Sequence, residues 1–265
     1  MVRTAHHSND PHLIRIEPDD RLVALARIMD VRDPEADTAL VDNAKNGARF
    51  GETCIGQALY RHRSVFQSAS DALVWSHVEL SYFRNFVSAD ALRELEGDPQ
   101  RAGLRLLRAE LLLTTPASFV MPIDWQGSSA RPELQASLEF IQVEPKYLKK
   151  YRGVMRDYCG PAAQKLVRSN KFGTFRAMET AAVLYQAPGL NIEWNQLHVC
   201  ELEADGFVGF GKAFGDVLRE DLPDGAELSD AFADLGQIRT VPRWTFNETV
   251  VEADTALAHL GTSEA

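Results

Sequence analysis

The apolar periods of this chain run through one six-element order and then through it again, and few folds accommodate such a repeat. Arg21–Val31 (RLVALARIMDV) is apolar enough for a buried strand, and Pro34–Ile55 spaces Ala36, Leu40, Val41, Ala44 and Phe50 as a helix does. Leu59–Gln67 and Ala72–Phe83 read as strands on either side of a turn at residues 68–71. Ser88–Arg108 opens on an N-cap serine and carries Leu92, Leu95, Leu104 and Leu107, and Glu110–Trp125 closes the series as a strand. After a Gly, Ser and Pro-bearing stretch the order returns. Leu138–Val143 is a strand, and Pro145 starts a helix with a stripe at Leu148, Tyr151, Met155, Tyr158 and Cys159. Phe175–Tyr185 and Ile192–Leu202 are strands, Phe207, Phe210, Phe214 and Val217 mark a helix face, and Gln237–Val251 is the last strand.

Tryptophan spacing supports the repeat. Trp75 and Trp125 are 50 residues apart, as are Trp194 and Trp244, which offsets the halves by 119. Pro122 and Pro242 are offset by 120, and His77 and His198 by 121. The expected organisation is a flexible leader at 1–19, a half at 20–125, a linker at 126–135, a half at 136–253 and a tail at 254–265. Each βαββαβ half puts both helices on one sheet face and leaves the other bare. Burying that face, at about 25 cal/mol per Å² of apolar surface, favours a second sheet against it. The expected class is therefore α+β, with two tandem ferredoxin-like βαββαβ units forming an intramolecular α/β barrel, as a monomer or homodimer.

Twenty-eight basic against 38 acidic residues give a net charge of −10, which argues against nucleic acid or an anionic membrane as partner. No apolar run approaches the length of a membrane span, and no signal-peptide pattern precedes Pro11. Cys54, Cys159 and Cys200 lack CxxC spacing, so buried thiols in a cytoplasmic protein are expected.

Strict alternation through Val74–Leu80 (VWSHVEL) puts Trp75, His77 and Glu79 on one face and Ser76, Val78 and Leu80 on the other. If the apolar set packs on the helices, the first set lines the lumen. The same rule groups Gln196, His198 and Cys200. A histidine among aromatics in a closed chamber is a usable general base, and Glu79 is placed to orient His77. On the neighbouring strand either Tyr60 and His62 or Arg61 and Arg63 face inward. The commoner role of a lone strand histidine, a satisfied hydrogen-bonding residue, stands beside the catalytic one. Gly206–Ala213 (GFVGFGKA) fits GxxxxGK, but Ala213 replaces the hydroxyl that would hold Mg²⁺, and its phenylalanines read as a packed stripe. His6, His7 and His12 fall in the leader, and the acidic stretch Glu220–Asp234 reads as a solvated loop.

His77–Phe83 (HVELSYF), Ser88–Leu95 (SADALREL) and the Asp98, Pro99 pair resemble the dimeric α/β-barrel superfamily, which includes antibiotic-biosynthesis monooxygenases, polyketide cyclases and stress-responsive barrel proteins. Its two-unit members include the oxygenases that open or contract the B ring of angucycline polyketides. The resemblance implies oxygenation of a polycyclic phenol or quinol, with a small aromatic substrate and O₂ as partners. It makes His77 the base and His198 a second acid or base, has Trp75 and Trp194 stack on the rings, and has the inward members of Tyr60, Arg61, His62 and Arg63 hold oxygens. It implies no bound cofactor and leaves room for diffusible reduced flavin; no metal is expected, because no third ligand is visible beside His77 and Glu79. Haem in this group is usually held by a helical histidine, and neither second helix contains one. A non-redox cyclase or isomerase, or a non-catalytic barrel binding protein, are the alternatives.

Overall fold

The computed structural model describes residues 13–15, 21–46, 54–69, 73–83, 100–101, 103–123, 125, 127, 131, 133–203, 206–220 and 235–253. Ten strands run in chain order: β1 Leu13–Arg15, β2 Val23–Val31, β3 Cys54–Ser68, β4 His77–Phe83, β5 Gln100–Arg101, β6 Leu104–Pro122, β7 Leu134–Val143, β8 Thr174–Gln186, β9 Gln196–Glu203 and β10 Arg239–Ala253. Helix α1 spans Pro34–Asn46. A single-turn π-helix, Met155–Cys159, lies between α2, Leu148–Val154, and α3, Gly160–Arg168, and α4 spans Gly206–Glu220.

The first half pairs in the order β6-β2-β4-β3 and the second in the order β10-β7-β9-β8, the ferredoxin-like arrangement twice over. Two seams join them. Strand β10 pairs antiparallel with β3, and β6 with β8, so eight strands close into one ring. The expected fold is the observed one: two tandem units closing an intramolecular α+β barrel. Small residues on β2 (Ala24, Ala26) face large ones (Tyr60, Tyr82, Phe119, Phe140) in the interior, which fills the lumen with side chains. Outside, α1 buries Leu40 and Ala44 on Leu59, Leu106 and Val251, while Tyr151, Met155 and Leu166 pack on Ile141, Phe175 and Cys200.

Several expected boundaries move. Leu13–Arg15, within the supposed leader, pairs with the end of β6. Leu104–Arg108 belongs to β6 rather than a helix, and residues 84–99 lie outside the described ones. Strand β3 begins at Cys54, inside the expected first helix, and β4 begins at His77. The GxxxxGK stretch is wholly helical, with no loop to cradle a phosphate. The acidic stretch at 221–234 lies outside the described residues.

Strand register also shows which repeated residues correspond. Ser76 N–H donates to the Met29 carbonyl and its Oγ accepts from Val31 N–H; Asn195 N–H donates to Ile141 and its Oδ1 accepts from Val143 N–H. Trp75 and Trp194 are therefore counterparts. His77, opposite Met29, corresponds to Gln196, opposite Ile141, so His77 and His198 stand two residues out of register. Leu104 lies opposite Val31 and Arg239 opposite Val143, which relates the last strands by 239 − 104 = 135 residues. Trp125 lies past the end of β6 and Trp244 within β10, so that pair and the Pro122/Pro242 pair are coincidences of spacing.

Candidate functional site

Nine side chains were singled out, and the structure divides them among the lumen, the helix-covered face and the rim. On β4, Val78, Leu80 and Tyr82 point into the lumen, so His77, beside α1, and Glu79 lie on the outer face. On β9, Leu197 and Val199 take the lumen and His198 faces Tyr151. Lumen placement of His77, Glu79 and His198 is thus corrected. Trp75 is inside as expected, but it precedes the strand, and the bend at Ser76 resets the alternation that was carried across it. The outer face of β4 can hold polar groups because neighbouring elements supply partners. Glu79 accepts from Arg27 and Gln57, each at 2.7 Å, and does not orient His77.

His77 has a different carboxylate. Its Nε2 lies 3.0 Å from Asp37 Oδ1 on α1 and 3.3 Å from Arg61 Nε, and its Nδ1 lies 3.0 Å from Ser76 Oγ. Arg61 also donates to Asp37 at 2.7 Å. Nε2 cannot accept from Arg61 and donate to Asp37 at once, so the ring chooses between two tautomers. Burial lowers the His77 pKa from its ordinary 6.5; Asp37 opposes that shift and Arg61 adds to it. Burial thus favours the neutral ring. Asp37, Arg61, His62, Trp75, Ser76 and His77 share the wall of a cavity of about 560 Å³. Asp37 lies in a helical run that the sequence reading passed over.

The open alternative on β3 resolves as Tyr60 inward. Tyr60 is fully buried, with its hydroxyl 3.0 Å from Arg176 Nη2, and burial pushes its pKa well up. Arg61 faces α1, and Arg63 pairs with Glu248 at the surface. His198 is bound to Tyr151 at 2.9 Å and lies 3.4 Å from Glu139, outside both cavities described here. Trp75 and Trp194 meet edge-on at 6.2 Å, each also packed on Phe140, so they plug the lumen at the end where β4 and β9 begin. Beyond that plug a second cavity of about 700 Å³ is walled by Leu73, Trp194, Gln67 and Arg239.

Deeper in the lumen lies a group that the sequence reading missed. Arg176, with no exposed surface, binds Glu201, Glu252 at 3.2 Å, Tyr60 and, at 3.3 Å, Tyr82. Thr174 donates to Glu201, and Trp125 Nε1 to Glu252 at 3.0 Å. Burial raises the Glu201 pKa to about 7, against the pull of Arg176. Its signal was available: a charged residue in the middle of the apolar run TFRAM. Among the described residues no group of three or more His, Cys, Asp or Glu could hold a metal ion, and no helix is long and apolar enough to cross a membrane.

No family model and no curated protein matches the chain. Solved structures do. An anthrone oxidase-like protein matches over 91% of this chain and 95% of its own, at 11% identity and a TM-score of 0.55. A protein of Fusobacterium nucleatum subsp. nucleatum assigned as a monooxygenase matches over 89% of this chain and 95% of its own, at 8% identity and a TM-score of 0.50. At such identities the likeness speaks for architecture: the chain shares, nearly end to end, the fold of these proteins.

Proposed function

We propose that the protein is an oxygenase that takes an acidic aromatic, a polycyclic phenol or quinol, into the cavity beside His77. The observation that carries the reading is that His77, whose neutral form burial favours, the carboxylate of Asp37, the guanidinium of Arg61 and residue Trp75 wall one cavity of about 560 Å³. The names borne by the two structural neighbours point the same way.

In this scheme the phenol O–H replaces Arg61 as donor to His77 Nε2 and gives up its proton there. Asp37 holds the resulting imidazolium, and Arg61 stands beside the phenolate. The ring carbon donates an electron pair to O₂ and forms a C–O bond, and the peroxide takes the proton from His77. Loss of water, with the ring hydrogen, leaves a quinone carbonyl. O₂ is the oxidant and the substrate the reductant, so no bound cofactor is assigned; reduced flavin, where used, arrives by diffusion.

The test is anaerobic mixing with a polycyclic hydroquinone or anthrone, followed by admission of O₂. Quinone absorbance should appear only after O₂ enters, and His77→Ala should slow it by about 10²-fold or more. Unchanged turnover in that variant overturns the assignment of the base. Product formed without O₂ replaces the reading by a non-redox cyclase or isomerase acting through the same histidine.

A further inference from the structure

The two indole plugs are built alike, except for one residue. Arg108 lies opposite Ile28 and Gln186, and Arg243 lies opposite Phe140 and Ser68, at matching places on β6 and β10. Two residues on, Glu110 lies opposite Ala26 and Thr245 opposite Leu138. Four residues on, Leu112 and Asn247 lie opposite Thr180 and His62. The guanidinium of Arg108 sits 5.0 Å from the Trp194 ring, and that of Arg243 sits 5.1 Å from the Trp75 ring. Arg108 Nη1 donates to Gln186 at 3.1 Å, and Arg243 Nη1 to Ser68 at 3.0 Å.

At the first plug, Glu110 joins everything. It accepts from Arg108 Nε at 2.9 Å and Nη2 at 2.8 Å, from Trp194 Nε1 at 3.0 Å and from Thr180 Oγ1 at 3.1 Å. At the second plug the carboxylate is missing, because Thr245 stands in its place, buried and hydrogen-bonded to Asn247. The consequence shows atom by atom. Arg243 Nε, Trp75 Nε1 and His62 Nε2, which answer to three of the four donor atoms that Glu110 satisfies, are all buried without a hydrogen-bond partner among the described residues. Burial lowers the Arg243 pKa, and burial first, with the Arg243 charge adding to it, lowers that of His62. A buried guanidinium Nε beside two buried ring nitrogens, each lacking a hydrogen-bond partner among the described residues, is costly to leave so.

We infer that this place is a recognition site for a carboxylate on a small molecule, whose oxygens take the positions that Glu110 fills at the twin plug. Arg243 Nε, Trp75 Nε1 and His62 Nε2 are its donors. His62 and Trp75 form part of the wall of the 560 Å³ cavity, which gives the ligand its way in; the three atoms are covered, so His62 and Arg243 must swing as it enters. The inference concerns recognition alone and does not depend on which reaction His77 performs.

The probe is benzoate, with benzamide as the uncharged control, followed on the indole N–H signals of the intact protein by NMR. Trp75, assigned through Trp75→Phe, should move downfield toward the position of Trp194, saturably with benzoate and not with benzamide. Arg243→Gln should weaken binding about tenfold or more, as loss of a charge-assisted bond does. Thr245→Glu should place the missing carboxylate in the chain itself, raise Tm and abolish benzoate binding. A Trp75 signal that benzoate leaves in place, or a Thr245→Glu protein that melts below the parent, overturns the inference.

Discussion

Arg176 lies between two carboxylates in a lumen where none of the three side chains is exposed, and one positive charge does not support two negative ones there. Glu201 gives way, with a pKa raised to about 7 from 4.5. A carboxyl whose folded pKa exceeds its unfolded one binds more protons in the native state. Its contribution to stability is full below the unfolded value and is lost as pH rises toward the folded one. Glu201→Gln, which keeps the neutral shape, should therefore leave stability at pH 5 nearly unchanged and flatten the decline between pH 5 and 7, read as Tm against pH. His77 titrates the other way: burial lowers its pKa, so its basic form persists somewhat below pH 6.5. Asp37→Asn removes a group that raises that pKa, and the acid limb of kcat/KM should move to lower pH. At this scale the sequence named His77, Trp75 and Arg61, placed Trp75 correctly, left Arg61 open and misjudged the direction of His77. Period two holds only along a regular strand, and Ser76 interrupts it. Asp37 escaped because nothing local marks a helix-surface aspartate as partnered from a strand distant in sequence; the charge inside TFRAM marked Arg176 but not the carboxylates that bind it.

Elements that pack through side-chain stripes were the legible ones. The run from Pro145 showed its apolar face in the spacing of Tyr151, Met155 and Cys159, and it is helical from Leu148 to Arg168. Its π-turn was invisible, since that turn is fitted to a distant strand: Ser118 Oγ donates to the Met155 carbonyl at 2.7 Å, next to Ala117 at φ 63°. Gly160 follows directly, and a Cβ there would stand 2.1 Å from the Ala117 carbonyl oxygen. Gly160→Ala should cost about 1–3 kcal/mol by chemical denaturation, because backbone rather than a side-chain tip has to move. Leu104–Arg108 misled for the opposite reason. Its leucines suit a helix stripe, yet the segment pairs with β2, and tertiary pairing overrides propensity in so short a run.

For the whole molecule the decisive facts are the two seams. Residues 57–68 of β3 pair with β10, and residues 108–120 of β6 with β8, so neither half keeps a complete sheet environment without the other. A chain divided at residues 128–130 should yield fragments that are insoluble or unfolded apart and recover one cooperative melting transition when coexpressed; two independent transitions would contradict this. The doubled order of elements made the architecture readable from sequence, although two of the spacings that pointed to it, Trp125 with Trp244 and Pro122 with Pro242, prove accidental. What carried the information was the alternation of strand and helix periods.

Ring closure also bears on how copies of this protein can meet. Each of the eight barrel strands is paired with a neighbour on both sides, four of them across the two seams, so the cylinder itself presents no row of free peptide groups to a newcomer. Association by strand addition is foreclosed there, and any higher assembly has to be made by side chains on the outer wall.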